Sequence, residues 1–133
     1  MSSLRSAFIR NDIPYIVRVI DTLFVNIPNP LWINAKESFY HAIIFNTFQL
    51  LGINQDGEVC NAHGRVDIVV KTKTHIYALE FKLDKSADTA LKQIFNRDYL
   101  KKYQLDSRQR IAVGINFSSE KKAVEEYLVE EVS

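Results

Sequence analysis

A single cysteine, Cys60, rules out an intramolecular disulfide in this 133-residue chain and fits a reducing compartment. No second cysteine completes a thiolate metal site, so Cys60 reads as a small strand residue. There are only four glycines and three prolines, while 25% of residues are charged and 47% hydrophobic. That balance argues against disorder and for one sizeable core. A single domain is expected over residues 1–133, with residues 1–30 as a helical N-terminal extension. No apolar run is long enough to cross a bilayer: the longest, "FYHAIIFNTFQLLG", is broken by His41, Asn46 and Gln49. The N-terminal "MSSLRSAFIRNDIPY" lacks the apolar core and small-residue cleavage site of a secretory signal, so an intracellular, cytoplasmic protein with no membrane partner is expected. Strong net charge is missing too. At +1, the chain's charge by itself predicts no nucleic-acid partner.

The charge is nevertheless unevenly placed. Arg65 to Arg110 holds eleven Lys/Arg against six Asp/Glu, and the remainder six against ten. A basic middle points weakly to a phosphate-bearing ligand, although solvated helix faces give similar counts.

Periodicity divides the chain. In "DIPYIVRVIDTLFVNI", Ile16, Val19, Ile20 and Leu23 recur at helical spacing, and Pro14 falls where a first turn tolerates it. Pro28-Asn29-Pro30 ends that helix. A second helix is predicted from an Asn34 cap to a C-terminal cap at Gly52. The period then drops to two in "EVCNA", "RVDIVV" and "IYALEF", separated by turn signals at Gly57, His63-Gly64 and "KTKT". Three antiparallel strands in a meander are expected. "SADTALKQIFNRDYLKKY" returns to helical spacing, with Ser86 as cap and Ala90, Ile94 and Leu91 turned inward. "RIAVGINF" is nearly all apolar, as a strand covered on both faces should be. "AVEEYLVEEV" fits an edge strand better than a helix. The whole is a mixed α/β (α+β) domain, its helices packed on a central sheet.

The stretch "GRVDIVVKTKTHIYALEFK" places charges inside strands. A two-residue turn at Thr72-Lys73 pairs positions summing to 145, and a four-residue turn gives 147. Either odd sum gathers Asp67, Val69, Ile76, Ala78, Glu80 and Lys82 on one face. Val66, Ile68, Val70, Tyr77, Leu79 and Phe81 take the other and belong to the core. A solvated strand end or a surface Asp67–Lys82 ion pair would explain the charges without any function. Against that, isolated charge is expensive in strands buried on both faces. Two carboxylates on neighbouring strands also repel unless a cation lies between them. Magnesium suits such a place, because it takes one or two carboxylates plus water and phosphate oxygens.

An Asp, a spacer and then Glu-x-Lys on the next strand, within a helix-strand-strand-strand-helix-strand array, resembles the core of the PD-(D/E)xK nuclease superfamily. Here the motif is Asp67 followed by "EFK" at Glu80–Lys82, with Val66 where the family name has Pro. "ESFYH", "GRVD", "LEFK", "ALKQIFNRDYLKKY" and "AVGINF" look more closely like one branch, the nuclease-like domain found C-terminal to an AAA-ATPase-like domain in bacterial proteins. The resemblance runs from about Trp32 to the C-terminus. It implies a restriction-endonuclease-like fold with core order αβββαβ and a mixed sheet of four to five strands. No "GxxxxGK[ST]" phosphate loop is present, so the ATPase part of such relatives is missing.

By the same resemblance, Asp67 and Glu80 would coordinate Mg²⁺ or Mn²⁺ together with the Phe81 carbonyl, and Glu37 would reach the metal from the first core helix. Lys82 would orient water and stabilise charge on the phosphate, an electrostatic role suited to an ammonium beside carboxylates. Gln93 resembles a glutamine that other members place near the site, with a helix-surface amide as the alternative. His41, one turn after Glu37, would support it or touch phosphate, and a hydrogen-bonded core histidine is an equal alternative. Arg97, four residues after Gln93, is a candidate phosphate contact; Arg65 and His63, which flank the motif, are weaker ones, with turn or rim positions as the alternative. The Gln93–Tyr99 spacing departs from some exonuclease branches, which leaves Tyr99 without a carried-over role. The function implied is metal-dependent hydrolysis of phosphodiester bonds, in DNA. The alternative is a nuclease-fold module that binds nucleic acid or a partner ATPase without cutting.

Overall fold

A computed structural model describes residues 3–26, 37–53, 55–61, 64–96 and 99–132. The chain opens with α1 (Ser3–Arg10) and α2 (Ile13–Val25), separated where Asn11 takes a left-handed φ of 57°. Asp12 then caps α2, its Oδ1 accepting the Tyr15 N–H at 3.3 Å, while Pro14 occupies the first turn as expected. The following helix, α3 (Glu37–Leu50), stops two residues before Gly52. With φ at 72°, Gly52 donates to Gln49 O at 3.1 Å and Ile53 donates to Phe48 O at 3.0 Å. These two bonds form a Schellman closure, and Ile53 and Phe48 are both buried beside it. The proposed cap at Asn34 lies outside the described residues.

The strands are β1 (Gln55–Asn61), β2 (Gly64–Lys71), β3 (His75–Leu83), β4 (Gln109–Ser118) and β5 (Ala123–Val132). They form one five-stranded sheet in the order β1-β2-β3-β4-β5. The β3–β4 pair is parallel and the other three pairs are antiparallel. Between β3 and β4 the chain crosses over through α4 (Ala87–Asn96) and a short 3₁₀ turn, Tyr99–Tyr103. This is the connection that a parallel pair requires. The meander and the edge position of β5 agree with the sequence. One turn signal does not, since Gly57 pairs with Ile68 inside β1, whereas Gly64 opens β2 opposite Asn61, the last residue of β1. Neighbouring strand residues supply a ladder that a glycine can join when its hydrogen bonds are met there.

Strand alternation gives the sheet two different faces. On one, Ile68, Val70, Tyr77, Leu79, Phe81, Ile111, Val113, Ile115 and Phe117 pack with Phe8, Ile16, Ile20 and Phe24 of α1 and α2 and with Ile44 and Phe48 of α3. Each fully buried side chain of this size contributes roughly 1.5–3 kcal/mol. Tyr77 adds a fixed link to α1 by donating to Phe8 O at 2.7 Å, and burial pushes its phenol pKa up. The opposite face carries a smaller cluster: Val69, Ile76, Ala78 and Ala112 under Ile94 of α4 and Leu100.

The β2–β3 turn is centred on Lys73-Thr74, because Thr72 N–H bonds to His75 O at 2.9 Å. The Thr72 hydroxyl accepts the His75 N–H at 3.0 Å and secures that turn. The register is therefore Ile68↔Leu79, Val69↔Ala78, Val70↔Tyr77 and Lys71↔Ile76. The paired numbers sum to 147, and the two-residue turn lies one residue further along than Thr72-Lys73.

Candidate active site

The last residues of β3 run beneath α4. Glu80 is 2% exposed and Lys82 8%, although both are ionisable, and both lie on the α4 face with Ala78 and Ile76. Their parallel partners on β4 are Gly114, opposite Glu80, and Asn116, opposite Lys82. Gly114 explains how a helix comes so close. A Cβ there would stand 2.5 Å from Ala87 O and 2.7 Å from Leu91 N, so only glycine lets the α4 backbone rest on the strand. Gln93 then reaches the sheet, and its Nε2 donates to Glu80 Oε2 at 2.7 Å.

Lys82 Nζ stands 4.0 Å from the same oxygen. At that separation the attraction is chiefly electrostatic, and the direct hydrogen bond belongs to the Gln93 amide. The second oxygen, Oε1, is likewise buried. Taking a carboxylate out of water costs several kcal/mol unless charge and hydrogen bonds compensate. Glu80 therefore has a carboxylate held in a fixed orientation on a rigid strand, next to a nearly buried cation.

Three further contacts fix the start of α4. Ser86 caps it as the sequence predicts, its Oγ accepting the Thr89 N–H at 3.0 Å. Glu126 of β5 accepts the Ala87 N–H at 2.8 Å through Oε1, which also complements the positive end of the helix dipole. Asn116 holds the preceding loop through Lys85. Beyond it, the Asp84 carboxylate accepts from both the N–H and the hydroxyl of Ser119. Glu126, Asn116 and Asp84 were not among the sequence candidates. Only Asn116 gives a signal in the chain itself, as a polar residue inside the apolar run "RIAVGINF".

Of the sequence candidates, Glu80, Lys82 and Gln93 are brought together. Asp67 lies in β2, one residue before Ile68, whose partner on β3 is Leu79. Phe81 turns its ring to the other face, 5.9 Å from that of Phe117. Glu37 is the first residue of α3, and His41 follows one turn later. The buried residues of α3 pack on the sheet face opposite Glu80. Arg65 pairs with Cys60 in the β1–β2 ladder. Arg97 and His63 lie outside the described residues, as do the side chains of Asp67, Glu37, His41 and Arg65. Among the described residues no three His, Cys, Asp or Glu side chains cluster as a metal site.

A meander of three antiparallel strands, a crossover helix and a parallel fourth strand, with acidic and Lys positions gathered at one end of the central pair, is a restriction-endonuclease-like arrangement. A profile of the PD-(D/E)XK nuclease superfamily matches residues 35–127, and the chain belongs to that superfamily. A protein of Azotobacter chroococcum mcd 1, described as "Uncharacterized protein in vnfD 5'region", is 28% identical over 133 residues. The match takes in 96% of this chain and 26% of that relative, so the chain spans about a quarter of its length. No solved structure matches. Among the described residues, no helix is long and apolar enough to cross a membrane.

Proposed function

We propose that this domain is a divalent-metal-dependent nuclease that hydrolyses phosphodiester bonds in DNA. The observation that carries the reading is the buried Glu80 carboxylate, held at Oε2 by Gln93 at 2.7 Å with Lys82 Nζ 4.0 Å away. A strand end that existed only for solubility would leave these groups in water.

The donor set suits Mg²⁺ or Mn²⁺. Glu80 offers hard oxygen on the sheet, and Asp67 of β2, the Phe81 carbonyl and Glu37 complete the proposed ligands. Two carboxylates suffice for an ion that keeps several waters. When bound, such an ion supplies Lewis-acid polarisation of the phosphoryl oxygen and lowers the pKa of coordinated water. The protein's own part is to position and to neutralise. Gln93 fixes the Glu80 plane, and Lys82 places positive charge where the phosphate gains negative charge. His41, Arg65 and Arg97 are the proposed contacts to the flanking phosphates. The partner ATPase implied by the sequence resemblance belongs to this proposal as well.

Labelled DNA incubated with the purified protein and Mg²⁺ or Mn²⁺ tests the reading. Cleavage is expected to stop with chelator and with Asp67→Ala or Glu80→Gln. Cleavage that survives all three would refute the assignment. Intact DNA under every metal condition, with DNA still bound, would favour a binding module.

A further inference from the structure

Asn116 has two hydrogen-bonding ends and uses both on one residue. Its Oδ1 accepts the Lys85 N–H at 3.0 Å, and its Nδ2 donates to the Lys85 carbonyl at 3.2 Å. The side chain is only 1% exposed, and the strand around it is buried on both faces. A buried amide adds desolvation cost that an apolar residue would avoid, so this position favours something other than the core.

What it favours is the path of the chain between Lys82 and α4. Lys85 lies three residues after Lys82 and two before the first residue of α4. Gripping both its backbone groups fixes the middle of that loop. The Glu126 bond to Ala87 and the close seat on Gly114 then set the direction and height of the helix. Gln93 lies less than two turns further on, so a shift at the helix start carries to its amide with little loss. A hydrogen bond of 2.7 Å tolerates little displacement before it weakens.

We propose that Asn116 is a positioning residue: its two bonds to Lys85 hold α4 in the seat from which Gln93 orients the Glu80 carboxylate. The consequence for catalysis rests on the nuclease reading of Glu80, whereas the consequence for the Gln93–Glu80 bond does not. Asn116 touches neither the substrate nor the reacting atoms. It acts through the loop, the helix and Gln93 in turn.

Nuclear magnetic resonance of the metal-free protein tests the first consequence. In Asn116→Ala the Gln93 side-chain amide signals are expected to move toward the position of a solvated amide, and the Lys85 and Ala87 N–H groups to lose exchange protection. Lys85→Ala should leave all of these in place, because Asn116 holds only its backbone. Gln93 signals that match the wild type in Asn116→Ala overturn the proposal. If Asn116→Ala does not fold, Asn116→Asp is read in the same way, since it keeps the acceptor for Lys85 N–H and loses the donor.

Metal-driven DNA cleavage tests the second consequence. Asn116→Ala should lower kcat roughly ten-fold with KM unchanged, as for partners that orient a metal-site group, and Asn116→Asp should recover part of that loss. Unchanged kcat overturns the catalytic role. A wild-type protein that cuts nothing refutes the nuclease reading alone, and the Gln93 signals then decide the role of Asn116.

Discussion

Glu80 and Lys82 show what a buried charge costs a fold. Both stand at positions of β3 where the alternation calls for the apolar character of Ile76 and Ala78. Their mutual attraction across 4.0 Å offsets only part of their desolvation. Replacing both ions by neutral side chains of similar shape removes that cost while leaving the Gln93 contact able to form. Glu80→Gln with Lys82→Met is therefore expected to raise stability by about 1–2 kcal/mol while abolishing metal-dependent cleavage. Urea unfolding at unchanged m-value measures the first effect and the DNA assay the second. A double variant that is both less stable and still active would show that the pair serves the fold and not the chemistry. Tyr77, also buried, is different, because both partners of its hydroxyl, Phe8 O and Asn11 Oδ1, belong to the N-terminal helix segment. It fastens that segment to the sheet.

At the scale of elements, the site depends on how closely α4 approaches β4. Gly114→Ala is expected to destabilise the fold by about 1–3 kcal/mol, because its Cβ would meet helix backbone, which moves less readily than a side-chain end. It should also lift Gln93 from Glu80, so activity falls further than the loss of stability accounts for. Thermal unfolding and kcat of the same preparation separate the two effects. Equal stability with full activity would mean that the helix shifts without consequence. Much of this arrangement was legible in the chain. Odd-sum parity in the β2–β3 hairpin sorts Val69, Ile76, Ala78, Glu80 and Lys82 onto one face whether the turn gives 145 or 147, so the exact place of the turn did not alter the faces. The Gly52 cap and the Ser86 cap were also legible, because each rests on contacts a few residues apart. Asn116 and Glu126 were not. Their partners Lys85 and Ala87 lie 31 and 39 residues away, a distance over which neither spacing nor propensity carries information. The turn position itself is of the same kind: Arg108 Nη1 donates to Thr72 O at 3.2 Å from 36 residues away.

For the molecule as a whole, Arg108 links the hairpin register to pH. Its Nη2 donates to Asp106 Oδ2 at 2.7 Å, and its Nε and backbone N–H both donate to Oδ1 at 2.9 Å. The side-chain hydrogen bonds from Arg108, then the backbone one, lower the Asp106 pKa from 3.8 to about 2. The carboxylate is therefore ionised in the folded protein over a range where the unfolded chain already binds the proton. Stability from this group is complete above the unfolded value of 3.8 and is lost as pH falls through the folded value of about 2. Unfolding free energy should accordingly fall with decreasing pH across that window, and Asp106→Asn should flatten this part of the profile. The pair is about a quarter exposed, so added salt should shrink the difference between the two proteins. Identical acid limbs for wild type and Asp106→Asn would exclude the pair as a contributor. The arginine that holds Asp106 also holds Thr72, so protonation loosens the turn that sets β2 against β3. Acid should then raise amide exchange at Thr72 and His75 before it does so at Val113 and Ile115 in the middle of β4. Exchange rising together at all four would mean that the sheet opens as one unit and that the Arg108 link does not govern the hairpin separately.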